Sequence, residues 1–191
     1  MKKTLSMLLA GAMLAAALTG CGSSASTGSD NADSSTDSSA SGAAFKLGGT
    51  GPLTGANAIY GNACKNGAQI AVDEINAEGG DIQFELNYQD DEGDAEKAVN
   101  AYNTLKDWGM QLSLGSVTSK PCEATAAETY SDRIFALTPS ASTVAVTADK
   151  DNVFQMCFVD PNQGTASAQY IAEQKLGTKI AIIWKNDDVY S

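Results

Sequence analysis

The feature that most constrains the fold is a regular alternation of short apolar stretches with longer segments of helical periodicity. The apolar stretches have the length of strands, and the segments between them repeat apolar residues every three or four positions. Strands are predicted at 45–50, 82–88, 110–115, 133–137, 153–158 and 179–184. Helices are predicted from Asn62, from Asp94, from about Pro121 and over 162–176. Strands that alternate with helices are typical of parallel sheets with right-handed crossovers, so we predict an α/β fold with a doubly wound parallel sheet.

Two of the strands and one helix carry more specific patterns. Residues 82–88 alternate strictly between apolar and polar, which predicts an edge strand with one face partly in water. Residues 179–184 (KIAIIW) are nearly all apolar, which predicts a strand covered on both faces. Because the sequence stops soon afterwards with no helix to cover that strand, we interpret the chain as cut short. The first helix has one predicted apolar face, made of Ala63, Gly67, Ile70, Ala71 and Ile75.

The N-terminal region has a composition unlike that of the rest of the chain. Two lysines precede an apolar run over 5–18, which is too short to span a bilayer, where a helix needs ~20 residues, but has the length of a secretory-signal core. The residues LTGC (18–21) resemble the bacterial lipoprotein signature, in which the cysteine becomes the mature N-terminus. We therefore predict a lipoprotein signal peptide over 1–20 and lipid attachment at Cys21. Residues 21–44 hold too few apolar side chains to fold and are predicted to be a disordered tether.

Composition excludes several classes of function. With 12 basic and 23 acidic residues the net charge is -11, so the basic surface of a nucleic-acid-binding protein is missing. The absence of histidine excludes His-based catalytic triads and His metal ligands. The Gly49–Gly51 stretch lacks the third glycine and the acidic residue of a dinucleotide site, so no cofactor is expected. Because the chain also has no CxxC spacing, no metal site is expected either. Besides Cys21, Cys64, Cys122 and Cys157 allow one disulfide, and the sequence leaves the pair open.

An acidic stretch, QDDEGDAE at 89–96, has two interpretations. Asp90, Asp91, Glu92 and Asp94 together suggest a calcium site, but their spacing lacks the alternating register of a calcium loop. A solvated turn that ends in a helix cap at Asp94 fits the pattern better, because aspartate is a favoured N-cap residue. We therefore predict a turn and a cap at this position.

Polar residues cluster in two loops that follow predicted strands, at the edge where parallel sheets bind ligands. In GSVTSKP (115–121), Ser119 precedes a predicted helix, so its hydroxyl and nearby N–H groups either hold a carboxylate or simply cap the helix. In TPSAS (138–142), the Ser140 carbonyl and the Ser142 hydroxyl are acceptors suited to an ammonium group. A donor loop beside an acceptor loop suits a zwitterion.

The segment at 51–80, GPLTGANAIYGNACKNGAQIAVDEINAEGG, resembles the opening of bacterial branched-chain amino-acid-binding proteins, the extracytoplasmic receptors of ABC importers. The likeness continues through DDEGDAEKAV, LTPSAS, DPNQGTASAQYIAE and KIAIIWKNDDVY, so it covers residues 45–191. It implies the type I periplasmic-binding-protein fold, in which two α/β lobes joined by a hinge close on an amino acid. Residues 45–160 would then form the first lobe, and 161–191 the hinge crossing and the start of a truncated second lobe.

The resemblance also implies roles for individual residues, by match to the family's motifs. Ser119 would hold the ligand carboxylate, while Ser142 and the Ser140 backbone would hold carboxylate or ammonium. Asp160 matches a position that contacts the ammonium group in some relatives and otherwise supports the hinge. Two aromatic residues would complete the pocket, Tyr60 as its wall and Tyr190 closing over it from the second lobe.

The function implied by the resemblance is binding without catalysis. A lipid-anchored protein outside the cytoplasm would capture a free amino acid, with an aliphatic one expected, and deliver it to the transmembrane subunits of an ABC permease. One alternative is the ectodomain of an amino-acid-sensing receptor with the same fold, although such a receptor normally needs a transmembrane helix rather than a lipid anchor. Another is an exported hydrolase, which the lack of histidine and of a G-x-S-x-G elbow disfavours.

Overall fold

The computed structural model describes residues 44–190, which form a sheet with helices packed on it. The strands are β1 (Phe45–Gly51), β2 (Phe84–Asp90), β3 (Leu112–Ser116), β4 (Phe135–Thr138) and β5 (Val153–Gln155). The helices are α1 (Ala58–Ala77), α2 (Ala95–Trp108), α3 (Ser119–Asp132) and α4 (Asp160–Glu173), with a 3-10 turn at Val144–Val146. None of these four helices is long and apolar enough to cross a bilayer. The predicted signal peptide, Cys21 and nearly all of the predicted tether lie outside the described residues.

The strand order is β2-β1-β3-β4-β5, and all neighbouring strands are parallel. The chain leaves β1 toward one side to form β2, then passes back over β1 to build β3, β4 and β5 on the other side. Right-handed crossovers in opposite directions place α1 on one face of the sheet, and α2 and α3 together on the other. The predicted doubly wound α/β fold and the predicted edge position of β2 are therefore confirmed. The order reverses between β1 and β3, which is where sheets of this topology bind ligands.

Helix α2 begins and ends where its local sequence predicts. The Asp94 carboxylate accepts a hydrogen bond from the backbone N–H of Lys97 (2.9 Å), so the predicted N-cap is confirmed. Gly109 ends the helix with φ 94°, a left-handed conformation that favours glycine. Between them, Tyr102 and Leu105 are almost fully buried in the core. Burial of a side chain such as Leu105 stabilises the fold by roughly 2 kcal/mol.

The predicted apolar face of α1 is not the buried face of the helix. All five residues of that face are exposed: Ala63, Gly67, Ile70, Ala71 and Ile75. The helix begins at Ala58 rather than at Asn62, and its buried residues are Gly61 and Val72. A Cβ atom added to Gly61 would lie 2.1 Å from the carbonyl oxygen of Pro52, so the helix approaches the chain after β1 closely at this point. The orientation of α1 thus follows from the close approach of two backbones, which needs glycine, rather than from its most apolar side.

The prediction that 179–184 forms a strand covered on both faces is also wrong. Residues 177–190 contain neither helix nor strand, and Ile182 and Ile183 are 82% and 99% exposed. Helix α4, which precedes this segment, has no buried residue either. Apolar residues of a strand are buried when the strand pairs within a sheet and other elements cover it. Within the described residues the sheet ends at β2 and β5, so this segment has no partner strand.

Candidate functional site

Helix α3 begins at the carboxyl edge of the sheet, directly after β3. Its first residue is Ser119, slightly earlier than predicted, and its N-cap residue is Thr118, which makes no side-chain capping bond. The Ser119 side chain does not cap the helix, because its Oγ accepts a hydrogen bond from the backbone N–H of Ser142 instead (3.2 Å). The interpretation of Ser119 as a simple helix cap is therefore wrong, and Ser119 connects two loops.

Ser142 is the centre of this arrangement. Its N–H donates to Ser119 at the start of α3, and its carbonyl oxygen accepts from the N–H of Asp160, the first residue of α4 (3.1 Å). The Ser142 residue is only 2% exposed. The structure thus brings three predicted site residues together at one edge of the sheet. We call Thr118, Ser119, Ser142 and Asp160 the edge junction.

Three buried oxygen atoms of the edge junction have no hydrogen-bond partner among the described residues: Thr118 Oγ1, Ser142 Oγ and Asp160 Oδ1. Buried polar atoms are nearly always paired, because an unpaired one costs about 1–3 kcal/mol. Two of these atoms belong to hydroxyls, which donate and accept, and the third to a carboxyl group, which accepts when ionised. Backbone N–H groups of the first turn of α3 add further donors. The junction therefore places both donors and acceptors at one edge of the sheet, the groups that a small zwitterionic ligand needs.

The loop between β4 and the edge junction is supported by a thiol. Cys157 Sγ donates to the carbonyl oxygens of Ser140 and Ala141, each at 3.2 Å. Burial raises the pKa of the Cys157 thiol, which keeps it protonated and able to donate. A carbonyl oxygen has two lone pairs, so Ser140, which is exposed, retains an acceptor site. Like Cys64 and Cys122, Cys157 is free, so the disulfide that the sequence allows is not formed.

Sequence reasoning missed Thr118 and Cys157 as parts of this site. Thr118 precedes a helix by one residue, which indicates an N-cap and nothing about an unpaired hydroxyl. The residues around Cys157 form no pattern that distinguishes a thiol that supports a loop from a thiol in the core. Both roles depend on where another segment of the chain lies, and the local sequence holds no information about that position.

The two predicted aromatic site residues lie on the surface. Tyr60, in the first turn of α1, is 60% exposed. Tyr190, the last described residue, is 56% exposed, and its backbone N–H donates to the Asp188 carboxylate (3.1 Å). The roles of these two tyrosines as wall and closing residue remain predictions.

The acidic turn after β2 is not simply solvated. Asp91 is completely buried, and burial raises the pKa of its carboxyl group. The Asp90 carboxylate accepts hydrogen bonds from two residues of the loop after β1. The prediction of a solvated turn is therefore wrong for Asp91, while Asp90 is partly exposed and the Asp94 cap is present. Residues 44–190 contain no group of three or more side chains placed to hold a metal ion.

Residues 44–191 match the family model described as periplasmic binding protein. The chain is 33% identical over 135 residues to the Leu/Ile/Val-binding protein BraC3 of Rhizobium johnstonii. This match covers 69% of this chain and 37% of that protein. It is 32% identical over 149 residues to Leu/Ile/Val-binding protein homolog 3 of Brucella melitensis, and this match covers 76% of this chain and 40% of that protein. The chain thus spans about two fifths of the length of these curated relatives.

Solved structures with this fold include two amino-acid-binding proteins. The branched-chain amino acid transporter substrate binding protein LivJ from Streptococcus pneumoniae, in complex with isoleucine, has a TM-score of 0.65 and 30% identity, and covers 69% of this chain and 39% of that one. The leucine binding protein LivK from Thermotoga maritima has a TM-score of 0.63 and 26% identity, and covers 69% of this chain and 37% of that one. Both have names that refer to aliphatic amino acids.

Proposed function

Since this chain belongs to the periplasmic binding protein family, with residues 44–191 matched, we propose that it is the substrate-binding component of an ABC importer. In this role it captures a free amino acid outside the cytoplasm and delivers it to the transmembrane subunits of a permease, without covalent chemistry. An aliphatic amino acid is the expected ligand, because the relatives at 32–33% identity are named for leucine, isoleucine and valine.

The observation that carries the proposal is the edge junction. Ser142 joins the first residues of α3 and α4, and unpaired buried oxygen atoms surround this connection. The junction lies at the carboxyl edge of a doubly wound sheet, the usual ligand-binding edge of such folds. A ligand with its own donors and acceptors would remove the cost of leaving these atoms unpaired.

The two charged groups of an amino acid fit different parts of the edge junction and the neighbouring Ser140. The carboxylate would accept from the Ser119 hydroxyl and from free N–H groups at the start of α3, where the helix dipole also favours a negative charge. The ammonium group would donate to Ser142 Oγ, the Ser140 carbonyl and the Asp160 carboxylate. Hydrogen bonds to charged groups contribute roughly 1.5–3 kcal/mol each, so this division favours a zwitterion over a neutral ligand.

The remaining parts of the proposal concern the whole protein. Residues 45–160 form the first lobe, and 161–191 cross the hinge and begin the second. The ligand is enclosed when the lobes close, with Tyr60 and Tyr190 against its side chain. Support for a second lobe comes from the relatives, since the chain spans about two fifths of their length.

Calorimetric titration of the full-length protein with leucine, isoleucine and valine tests the ligand class. We expect at least one of them to bind with Kd of about 1 μM or lower, which corresponds to roughly -8 kcal/mol. N-acetylleucine, which lacks the ammonium group, is the matched control and should bind at least about a hundredfold more weakly because it leaves acceptors of the junction unpaired. Equal binding of both ligands, or no heat with any amino acid, would contradict the proposal. Unchanged amino-acid uptake in a deletion strain, despite binding, would indicate a sensory ectodomain instead.

Replacement of Cys21 by alanine tests the proposed membrane anchor. The thiol of Cys21 is the proposed acylation site, so the variant cannot carry the lipid and should appear in the soluble fraction or remain unprocessed. A multiply acylated N-terminus binds membranes far more firmly than a single chain, so we expect a near-complete shift between fractions. Cys64→Ala is the control and should leave the protein on the membrane. Normal processing and full membrane retention of the Cys21 variant would contradict the lipoprotein assignment.

A further inference from the structure

Asp90 connects the two loops that follow β2 and β1. Its Oδ1 accepts from the backbone N–H of Leu53 (2.8 Å), and its Oδ2 accepts from the Thr54 hydroxyl (2.6 Å). Oδ1 also accepts from the N–H of Glu92 in its own turn (2.9 Å). Partial burial raises the pKa of Asp90, but hydrogen bonds from Thr54, Glu92 and Leu53 outweigh it and hold the pKa below its usual value. The carboxylate is thus charged at neutral pH and makes contacts 36 and 37 residues away along the chain.

Leu53 also contacts α1, through its carbonyl oxygen. The Asn62 side-chain amide donates to the Leu53 carbonyl oxygen (3.0 Å) and to that of Ala58 (2.8 Å). Gly61 lies against the backbone of Pro52, the residue before Leu53. The loop at 52–57 is therefore fixed between the Asp90 carboxylate and the first turns of α1.

This loop follows β1 at the point where the strand order reverses. It leads directly into the first turn of α1, which carries Tyr60. The position of that turn depends on the direction in which the loop leaves β1. Among the described residues, Asp90 at the end of β2 makes two side-chain hydrogen bonds to this loop, one with Leu53 and one with Thr54.

We propose that Asp90 is a positioning residue for ligand binding, which orders the loop at 52–57 and the first turn of α1 so that Tyr60 faces the ligand crevice. The role of Tyr60 rests on the proposed function given above. Asp90 itself does not contact the ligand. It restricts the loop before a ligand arrives, so the loop loses fewer conformations when the ligand binds.

The test compares Asp90→Ala with Asp94→Ala in the full-length protein, with leucine as the probe. Both substitutions remove an aspartate from the same turn, but among the described residues the Asp94 carboxylate accepts only from Lys97 of its own helix. For Asp90→Ala we expect Kd for leucine to rise about tenfold. For Asp94→Ala we expect a lower melting temperature, from the lost cap, with Kd unchanged. Thr54→Val should raise Kd about threefold and should have no further effect in the Asp90→Ala background.

Hydrogen exchange without ligand provides an independent measurement. In Asp90→Ala the amides of Leu53, Tyr60 and Gly61 should exchange at least about tenfold faster, while Asp94→Ala should leave them unchanged. Unchanged exchange at these amides in Asp90→Ala, or a Kd equal to that of the unmodified protein, would overturn the positioning role. Failure of the unmodified protein to bind any amino acid would refute the proposed function, and a normal exchange rate at Leu53 in Asp90→Ala would then refute this inference separately.

Discussion

We expect replacement of Gly61 by alanine to lower the free energy of unfolding by about 2–3 kcal/mol. An added Cβ would lie 2.1 Å from the carbonyl oxygen of Pro52, and 2.6 and 2.9 Å from its carbonyl carbon and nitrogen. All three are backbone atoms, so no side-chain rotation relieves the overlap, and α1 or the loop after β1 must move. The gain in helix propensity from glycine to alanine, about 1 kcal/mol, is smaller than this cost. Chemical denaturation of both proteins measures the difference.

Gly67→Ala, in the same helix, is the matched control. A Cβ at Gly67 meets no atom within 4 Å, and the residue is exposed. This variant should therefore gain about 0.5–1 kcal/mol of stability from propensity alone. If Gly61→Ala also gained stability, α1 could not approach Pro52 as closely as described.

We expect replacement of Ser119 by alanine to raise the dissociation constant for the proposed amino-acid ligand by about ten- to a hundredfold. The residue is 5% exposed, and its Oγ accepts from the N–H of Ser142, which leaves the hydroxyl proton for the ligand carboxylate. A hydroxyl that donates to a buried carboxylate contributes roughly 1.5–3 kcal/mol. The variant also leaves the Ser142 N–H without its partner, so we expect a loss of about 1 kcal/mol in stability. Calorimetric titration and denaturation measure the two effects separately.

The matched control is Ser131→Ala, at an exposed position near the end of the same helix α3. It should change neither the dissociation constant nor the stability by more than about 0.5 kcal/mol. If Ser119→Ala lowers stability but binds the amino acid as tightly as the unmodified protein, Ser119 only connects two loops. The carboxylate site at the start of α3 would then have to be abandoned.

The edge junction and the Asp90 contacts both join loops that follow different strands. Ser142 connects the starts of α3 and α4, and Asp90 connects the loops after β1 and β2. Loops at one edge of a sheet are otherwise independent of each other, because each is attached only to its own strand and helix. Such cross-connections fix the binding groups before a ligand arrives, which reduces the cost of ordering them.

The sequence by itself determined the features that depend on neighbouring residues. The alternation of strands and helices predicted the α/β fold, because side-chain periodicity follows from local backbone geometry. The Asp94 cap was predicted for the same reason, since a cap forms between residues three apart in the chain. Ser119, Ser140 and Ser142 were predicted to share one edge because the carboxyl ends of parallel strands lie on the same side of a sheet.

The tertiary structure alone decided the features that depend on distant segments. The buried side of α1 follows from the approach of Gly61 to Pro52, and the hydrogen bond of Ser119 follows from the position of Ser142, 23 residues away. Asp90 and Asp94 look alike in the sequence, but only Asp90 reaches the loop after β1. The apolar segment at 179–184 reads as a strand, yet a strand forms only where a second strand supplies its hydrogen bonds, and the described sheet provides none there.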